Sequence, residues 1–278
     1  MNGQSDIVFE IKPQKVFSLG VRELVEYREL FYFLSWRDIK VKYKETVLGF
    51  FWVILQPVIF TLIFSMFLGK SFRQESVGMS YPVFVSSGLM VWLLFSSGLT
   101  NAGNSMITNA AIIKKIYFPR LIIPITSILV SVFDFLIMFM LFLVLLFIYP
   151  TTIDGMQALM FWPTALLLTV IGTFGPGCLL AALNIKYRDF RYVIPFLVQA
   201  LLFLTPVIYP ADILGSTWRK YLLAFNPMYA PISLFRMPIT TAPLHTTLLC
   251  ISIGSSLILF VIGLLYFKST ERYFADLA

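Results

Sequence analysis

The chain has little of what catalysis or a soluble surface requires. Charged residues make up 13% of it, about half the usual globular share, while 59% is hydrophobic. There is one histidine, His245, and there are two cysteines, Cys178 and Cys250, each within an apolar run. A lone imidazole with no cysteine or carboxylate cluster beside it is no metal site, and it reads as an interfacial hydrogen-bonding group. Two separated cysteines in apolar runs read as small packing residues without a disulfide framework. No G-x-x-x-x-G-K-[ST] phosphate loop occurs, and the only Gly-Lys pair is Gly69-Lys70. No Ser-His-Asp order and no paired intramembrane carboxylates can be assembled, and neither an internal repeat nor a low-complexity linker divides the chain. Together these gaps exclude a chain that burns nucleotide by itself and point to one membrane domain. The net charge of +7 could attract nucleic acid, but the cations sit beside membrane ends, so no nucleic acid is expected as a partner.

What is abundant is apolar sequence in long runs. A helix rising about 1.5 Å per residue needs roughly 20 apolar residues to cross about 30 Å of hydrocarbon. Runs of that kind lie at about 47–68, 81–99, 121–149, 159–183, 193–209 and 244–267, the fifth short and bracketed by Pro195, Pro206 and Pro210. The expected fold is all-α and integral to the membrane, with six spans and both termini in the cytoplasm. Cations test this topology, because they favour cytoplasmic loops. Sixteen Lys and Arg fall on the expected inner side and five, among them Arg219, Lys220 and Arg236, on the outer. Met1 to Leu19 is mixed and polar, so the first span is expected to act as an uncleaved signal. Residues 1–15 show no periodicity and read as a tail, whereas Val21, Leu24, Val25, Leu30, Phe31 and Leu34 recur at helical spacing between charges. That helix is too charged to span and is expected to lie along the cytoplasmic membrane surface. Between runs five and six, 211–243 is broken by Pro227, Pro231 and Pro238 into pieces too short to cross, which read as re-entrant half-helices dipping from the outer face.

Three stretches carry a resemblance. RDIKVKYKETVLG at 37–49, followed by Trp52 and Leu55-Gln56-Pro57, opens the first span; IKKIYFPR follows at 113–120 and ALNIKYRDFR at 182–191, with Asn226-Pro227-Met228 later. These resemble ABC-2 type permeases that export polysaccharides, from about Leu30 to the last span. The resemblance implies the membrane subunit of an exporter of lipid-linked polysaccharide, O-antigen first, in a bacterial inner membrane. It implies a second copy of the chain, two copies of a cytoplasmic ABC ATPase that binds ATP and Mg, and no cofactor in this chain. Capsule or teichoic-acid export, or ABC-2 drug or lipid export, is the alternative. From another class, an integral glycosyl- or acyltransferase would need an acid cluster or histidine at one membrane face.

Site residues follow from both readings. By resemblance the inner stretch around Asn109, Ala110, Ile112, Ile113, Lys114 and Lys115 is the helix that couples to the ATPase, and Glu23, Glu26 and Tyr27 belong to a second contact on the amphipathic helix. The residues alone allow an ordinary surface loop anchored by Lys114, Lys115 and Tyr117. Aromatics make up 17% of the chain, and rings can stack on the C–H faces of sugars without gripping one linkage. Phe50, Trp52, Phe60 and Phe64 in run one, with Phe203 and Tyr209 in run five, are candidates for lining a passage; lipid-facing and core phenylalanine is the plainer reading of each. Trp218, Tyr221, Asn226 and Tyr229 are placed at an outer gate. Asp134 is the one acid near the middle of a span, where charge is costly. It is expected to hydrogen-bond a serine or threonine of a neighbouring helix, no basic residue in the other spans offering a partner; a proton relay is the alternative. Gly172, Gly175, Pro176 and Gly177 are expected to mark close helix packing rather than a hinge.

Overall fold

Every regular element among the described residues is a helix. The computed structural model describes residues 25–44, 49–72, 78–187, 189–211, 217–241, 243–271 and 274. The tail at 1–15, Glu23 and the rest of 21–24, and the loop cations Arg73, Arg188 and Arg272 lie outside the described residues. In chain order the helices are α1 (Arg28–Lys44), α2 (Gly49–Phe72), α3 (Tyr81–Thr108), α4 (Ala110–Ile113), α5 (Ile122–Ile148), α6 (Gly155–Lys186), α7 (Phe190–Phe203), α8 (Thr217–Ala224), α9 (Tyr229–Arg236) and α10 (Thr246–Thr270), with a 3-10 turn at Met237–Ile239 after α9. Five are long and apolar enough to cross a membrane: α2, α3, α5, α6 and α10. The fifth apolar run becomes α7, whose 14 residues rise only about 21 Å, and the chain continues through turns at 204–209.

α3 is the hub, packing on α2, α5, α6, α7 and α9. It runs to Thr108, nine residues past the apolar run that announces it, because its polar tail satisfies itself. Thr100 Oγ1 donates to Ser96 O at 2.8 Å, Asn104 Nδ2 to Thr100 O at 2.9 Å and Ser105 Oγ to Ala102 O at 2.6 Å. Other polar side chains cross to neighbouring helices: Asn101 Nδ2 donates to Ser131 Oγ at 3.2 Å, and Asn184 Nδ2 to Gly103 O at 2.9 Å. Inside a bundle such bonds hold helices together where apolar contact alone would not distinguish protein from lipid.

The glycines of α6 pack, as expected. A Cβ on Gly263 of α10 would fall 1.9 Å from Gly175 O, and one on Gly175 would fall 2.3 Å from Phe260 Cα, so the two backbones touch. On Gly172 a Cβ would meet Met228 Cε at 2.7 Å. That last contact locates the tip of the α8–α9 hairpin. Gly172 lies 17 residues beyond Gly155, roughly 25 Å along α6. The hairpin therefore reaches the middle of the bundle and returns, since Trp162 Nε1 donates to Phe235 O at 3.1 Å and Asp154 N to Pro238 O at 3.0 Å near the start of α6.

Two apolar clusters sit at opposite ends. The larger gathers α3, the C-terminal half of α5, parts of α6, and the hairpin; the smaller joins Leu34, Met106, Ile113, Phe118, Ile122, Ala181 and Phe267. Cys178 is buried in the smaller cluster, whereas Cys250 is exposed on α10. The cysteine reading is corrected on that point.

Candidate functional site

At the end of the smaller cluster, α3 stops at Asn109, and the chain turns through α4. Asn109 closes the turn by donating from Nδ2 to Ser105 O at 2.9 Å, while its Oδ1 accepts from Arg37 Nη2 of α1 at 2.7 Å. Arg37 also pairs with Asp38 at 2.7 Å. Ile113 is buried in the cluster, and Ala110 and Ile112 are half-buried, so these three anchor the corner. Lys114 and Lys115 are exposed, followed by Ile116 and by Tyr117, which is 80% exposed. The exposed part of the corner is Ala111 and Lys114 to Tyr117; of the expected coupling residues Lys114 and Lys115 lie on the surface, and Asn109, Ala110, Ile112 and Ile113 are buried or half-buried. Glu26 is exposed and Tyr27 half-buried against the smaller cluster.

α1 does more than lie on a surface. Leu30, Phe31 and Leu34 face the cluster, yet Tyr32, Phe33 and Trp36 on the other side are exposed as well. Its last turn packs against α5, where Lys42 Nζ meets Asp134 Oδ2 at 2.5 Å and Tyr43 Oη donates to Asp134 Oδ1. The expectation of a serine or threonine partner for Asp134 is corrected. The partner comes from the helix before the first span, which a search among span residues passes over. Burial, and then the hydrogen bond to the Asp134 carboxylate, push the Tyr43 phenol well above its ordinary range.

At the middle of the bundle, the Asn226-Pro227-Met228 turn at the tip of the hairpin is pinned. Asn226 Nδ2 donates to Thr205 Oγ1 at 2.7 Å, its Oδ1 accepts from Met228 N at 2.9 Å, and its carbonyl accepts from Ser252 Oγ at 2.8 Å. Tyr229 is buried; Trp218 and Tyr221 are exposed. The four gate candidates therefore divide into two that fix the hairpin and two that face outward. Phe235 lies in a box of rings, stacked on Trp162 at 5.7 Å and edge-on to Phe142 at 5.5 Å.

Arg236 is the residue that sequence reasoning misplaced. Counted as a loop cation, it is 8% exposed and donates to Ser87 Oγ at 3.2 Å, Pro206 O at 2.9 Å, Phe84 O at 3.0 Å and Val207 O at 2.7 Å. Its guanidinium lies 3.7 Å from the Phe84 ring centroid, and Gly88 leaves the space it occupies, since a Cβ there would sit 2.5 Å from Nη2. Five N–H donors in a fixed fork suit this cage of neutral oxygens. One residue thereby ties α9 to the start of α3 and to the turns after α7. No local pattern announced it; its partners come from segments about 30 and 150 residues away in the chain.

The aromatic candidates fall on the flanks. Phe50, Trp52 and Phe60 on α2 and Phe203 on α7 are exposed, while Phe64 and Tyr209 are half-buried. Phe60 and Phe64 pair at 6.2 Å, and Tyr209 Oη donates to Phe203 O at 2.8 Å. α2 packs on α3 and α5, and α7 on α3 and α6, so the hub carries both aromatic faces on its flanks.

Residues 29–239 match the family described as ABC-2 type transporter. The chain belongs to that family. Its five long apolar helices make it a multi-pass membrane protein. A relative with 30% identity to it over 245 residues, covering 87% of this chain and 92% of the relative, is the O-antigen export system permease protein RfbA of Klebsiella pneumoniae. The protein of that name from Myxococcus xanthus is 29% identical over 75% of this chain and 79% of its own length. The polysialic acid transport protein KpsM of Escherichia coli is 24% identical, covering 72% and 77% respectively.

Proposed function

We propose that this chain is the transmembrane subunit of an ATP-driven exporter that moves lipid-linked polysaccharide, O-antigen first, across a bacterial inner membrane. The observation that carries the reading is similarity along three quarters or more of the chain to relatives named as O-antigen export permeases, 87% in one and 75% in the other. Capsular polysaccharide is the second reading, supported by the likeness to a polysialic acid transport protein.

The geometry supports a division of labour. The chain has no phosphate loop, so a separate ATPase, one per copy, supplies hydrolysis with its own ATP and Mg. It docks on the exposed Lys114 to Tyr117 edge of the corner, while the buried Ile113 and the bonded Asn109 carry the push into α3 and α1. Two copies stand face to face, because the aromatic face of α2 is bare in one chain and a polymer needs a wall on both sides. Phe50, Trp52, Phe60 and Phe203 line that wall. α7 with the turns at 204–209 makes a sixth crossing, which leaves both termini in the cytoplasm and Lys114 and Lys115 on the inner side. The α8–α9 hairpin is then re-entrant from the outer face, part of its backbone satisfied by Ser252 and Trp162 as hydrocarbon demands, while its own Arg236 side chain satisfies carbonyls of the turns after α7.

The test is export in cells carrying the permease and its ATPase, with the double variant Lys114→Glu and Lys115→Glu. The expected result is a folded permease that no longer co-purifies with the ATPase and no longer places glycan outside. Export in cells lacking every such ATPase would overturn the reading, and donor-sugar turnover by the purified chain alone would revive the transferase.

A further inference from the structure

Asp134 lies 12 residues into α5, roughly 18 Å from its start, and is 5% exposed. Both of its oxygens are taken by α1, Oδ2 by Lys42 and Oδ1 by Tyr43. Tyr43 also touches ring to ring with Phe133 of α5 at 5.6 Å and with Phe50, in the first turn of α2, at 6.5 Å. Six residues before Tyr43, on the same helix, Arg37 holds Asn109 at the corner. A single rigid helix is thus fastened to the corner by one polar contact and to the middle of α5 by another, immediately ahead of α2.

The two fastenings differ in what releasing them costs. A buried carboxylate that loses its partner is left as an uncompensated charge, so the Asp134 contact is strongly preferred while closed. Lys42, however, keeps about a third of its side chain accessible, so its ammonium can find water or a lipid headgroup if α1 shifts along α5. The contact has a defined closed state and a solvated exit for one partner, as a two-state element requires. α2 carries almost no buried surface of its own, so little besides α1, Tyr43 and its packing on α3 and α5 sets its position.

We propose that Lys42, Tyr43 and Asp134 form a latch that fixes the α1–α2 junction in the resting permease and opens during each transport stroke, making the three residues positioning residues for movement of α2. The proposal rests on the exporter reading. A push on the corner reaches α1 through Asn109 and Arg37; α1 slides along α5, Lys42 leaves Asp134, and Phe50 and the aromatic face behind it move with Tyr43.

The test uses the permease–ATPase complex in proteoliposomes or in cells, with Cys178→Ala and Cys250→Ala as background. Lys42→Cys and Asp134→Cys are joined by a short bifunctional thiosulfonate that a reductant cleaves. Cross-linking is expected to stop export, to leave ATP binding in place, and to be reversed by reductant. Export by the cross-linked complex at the uncross-linked rate overturns the latch, because a purely structural contact tolerates a permanent tie. Since the cysteine pair removes the native bond, a second series reads it directly. Lys42→Arg, which keeps the charge, is expected to retain export, and Lys42→Met to lower export per ATP hydrolysed by about tenfold or more. Equal coupling ratios in the two variants also overturn the latch. The parental complex separates the two failures: if it exports nothing in an ATPase-dependent manner, the exporter reading falls and the latch with it.

Discussion

α2 and α3 are consecutive apolar helices of similar length that meet opposite fates. Of the most apolar stretch of α2, 6% is buried within the chain; of α3, 72%. Mean hydropathy is higher in the exposed α2 than in the buried α3, so it does not account for the difference, whereas side-chain size does. α3 presents Gly88, Gly98 and Gly103 to its neighbours, each at a point where a Cβ would collide: with Arg236, Thr173 and Ile194 respectively. α2 presents Phe50, Phe51, Trp52, Phe60, Met66 and Phe67 outward. In a solvent as apolar as leucine, helices gain by approaching closely, so small residues mark the contact and large rings mark the face left for lipid, cargo or a second copy.

The comparison breaks first if α3 tolerates bulk. Gly98→Leu would drive its side chain into Thr173, whose Cγ2 already lies 2.7 Å from a Cβ at that position. We expect a cost of about 3 kcal/mol or more and little recoverable folded permease, read by size-exclusion and thermal melting in nanodiscs. A matched pair sharpens it. Phe95 of α3 is 1% exposed and Phe67 of α2 is 74% exposed. Phe95→Ala should cost about 3 kcal/mol through the cavity it leaves, and Phe67→Ala should stay within about 0.5 kcal/mol. Equal shifts in melting temperature would mean that α2 is packed in the free chain after all.

Next in size is Arg236→Gln. The amide keeps a donor but reaches fewer of the four oxygens in the cage, so unsatisfied carbonyls at Phe84, Pro206 and Val207 should cost about 2 kcal/mol. The hairpin should also become open to protease or thiol labelling at Ser233→Cys. This residue also marks where the sequence stopped being readable. Apolar runs locate α2, α5, α6 and α10 within a few residues, because each depends on its own composition. The prolines of 211–243 give the hairpin for the same reason, and the glycines of α6 give its close crossing with α10. Partners distant in sequence leave no such trace. Nothing near Asp134 points to Lys42 and Tyr43, 92 and 91 residues earlier. The polar tail of α3 hid nine residues of helix because serine, threonine and asparagine resemble a loop until their bonds to preceding carbonyls are seen. At the corner, the cations Lys114 and Lys115 were legible as surface, whereas Ile113 could be assigned to the core only once Leu34 and Phe118 were seen against it.

The smallest effect on stability should be the most telling for function. Phe60 is exposed on α2 and pairs with Phe64 at 6.2 Å. If its ring faces lipid, Phe60→Ala and Phe60→Leu should behave alike, each within about 0.5 kcal/mol in melting and with unchanged export. If it lines a sugar path, Phe60→Leu keeps apolar bulk but loses the flat face. An aromatic contact of about 0.5–1.5 kcal/mol then corresponds to export slowed roughly two- to tenfold, with Phe60→Tyr close to the parent. The two variants separate shape from hydrophobicity at one position, and a leucine that exports as well as phenylalanine would return the bare face of α2 to the lipid.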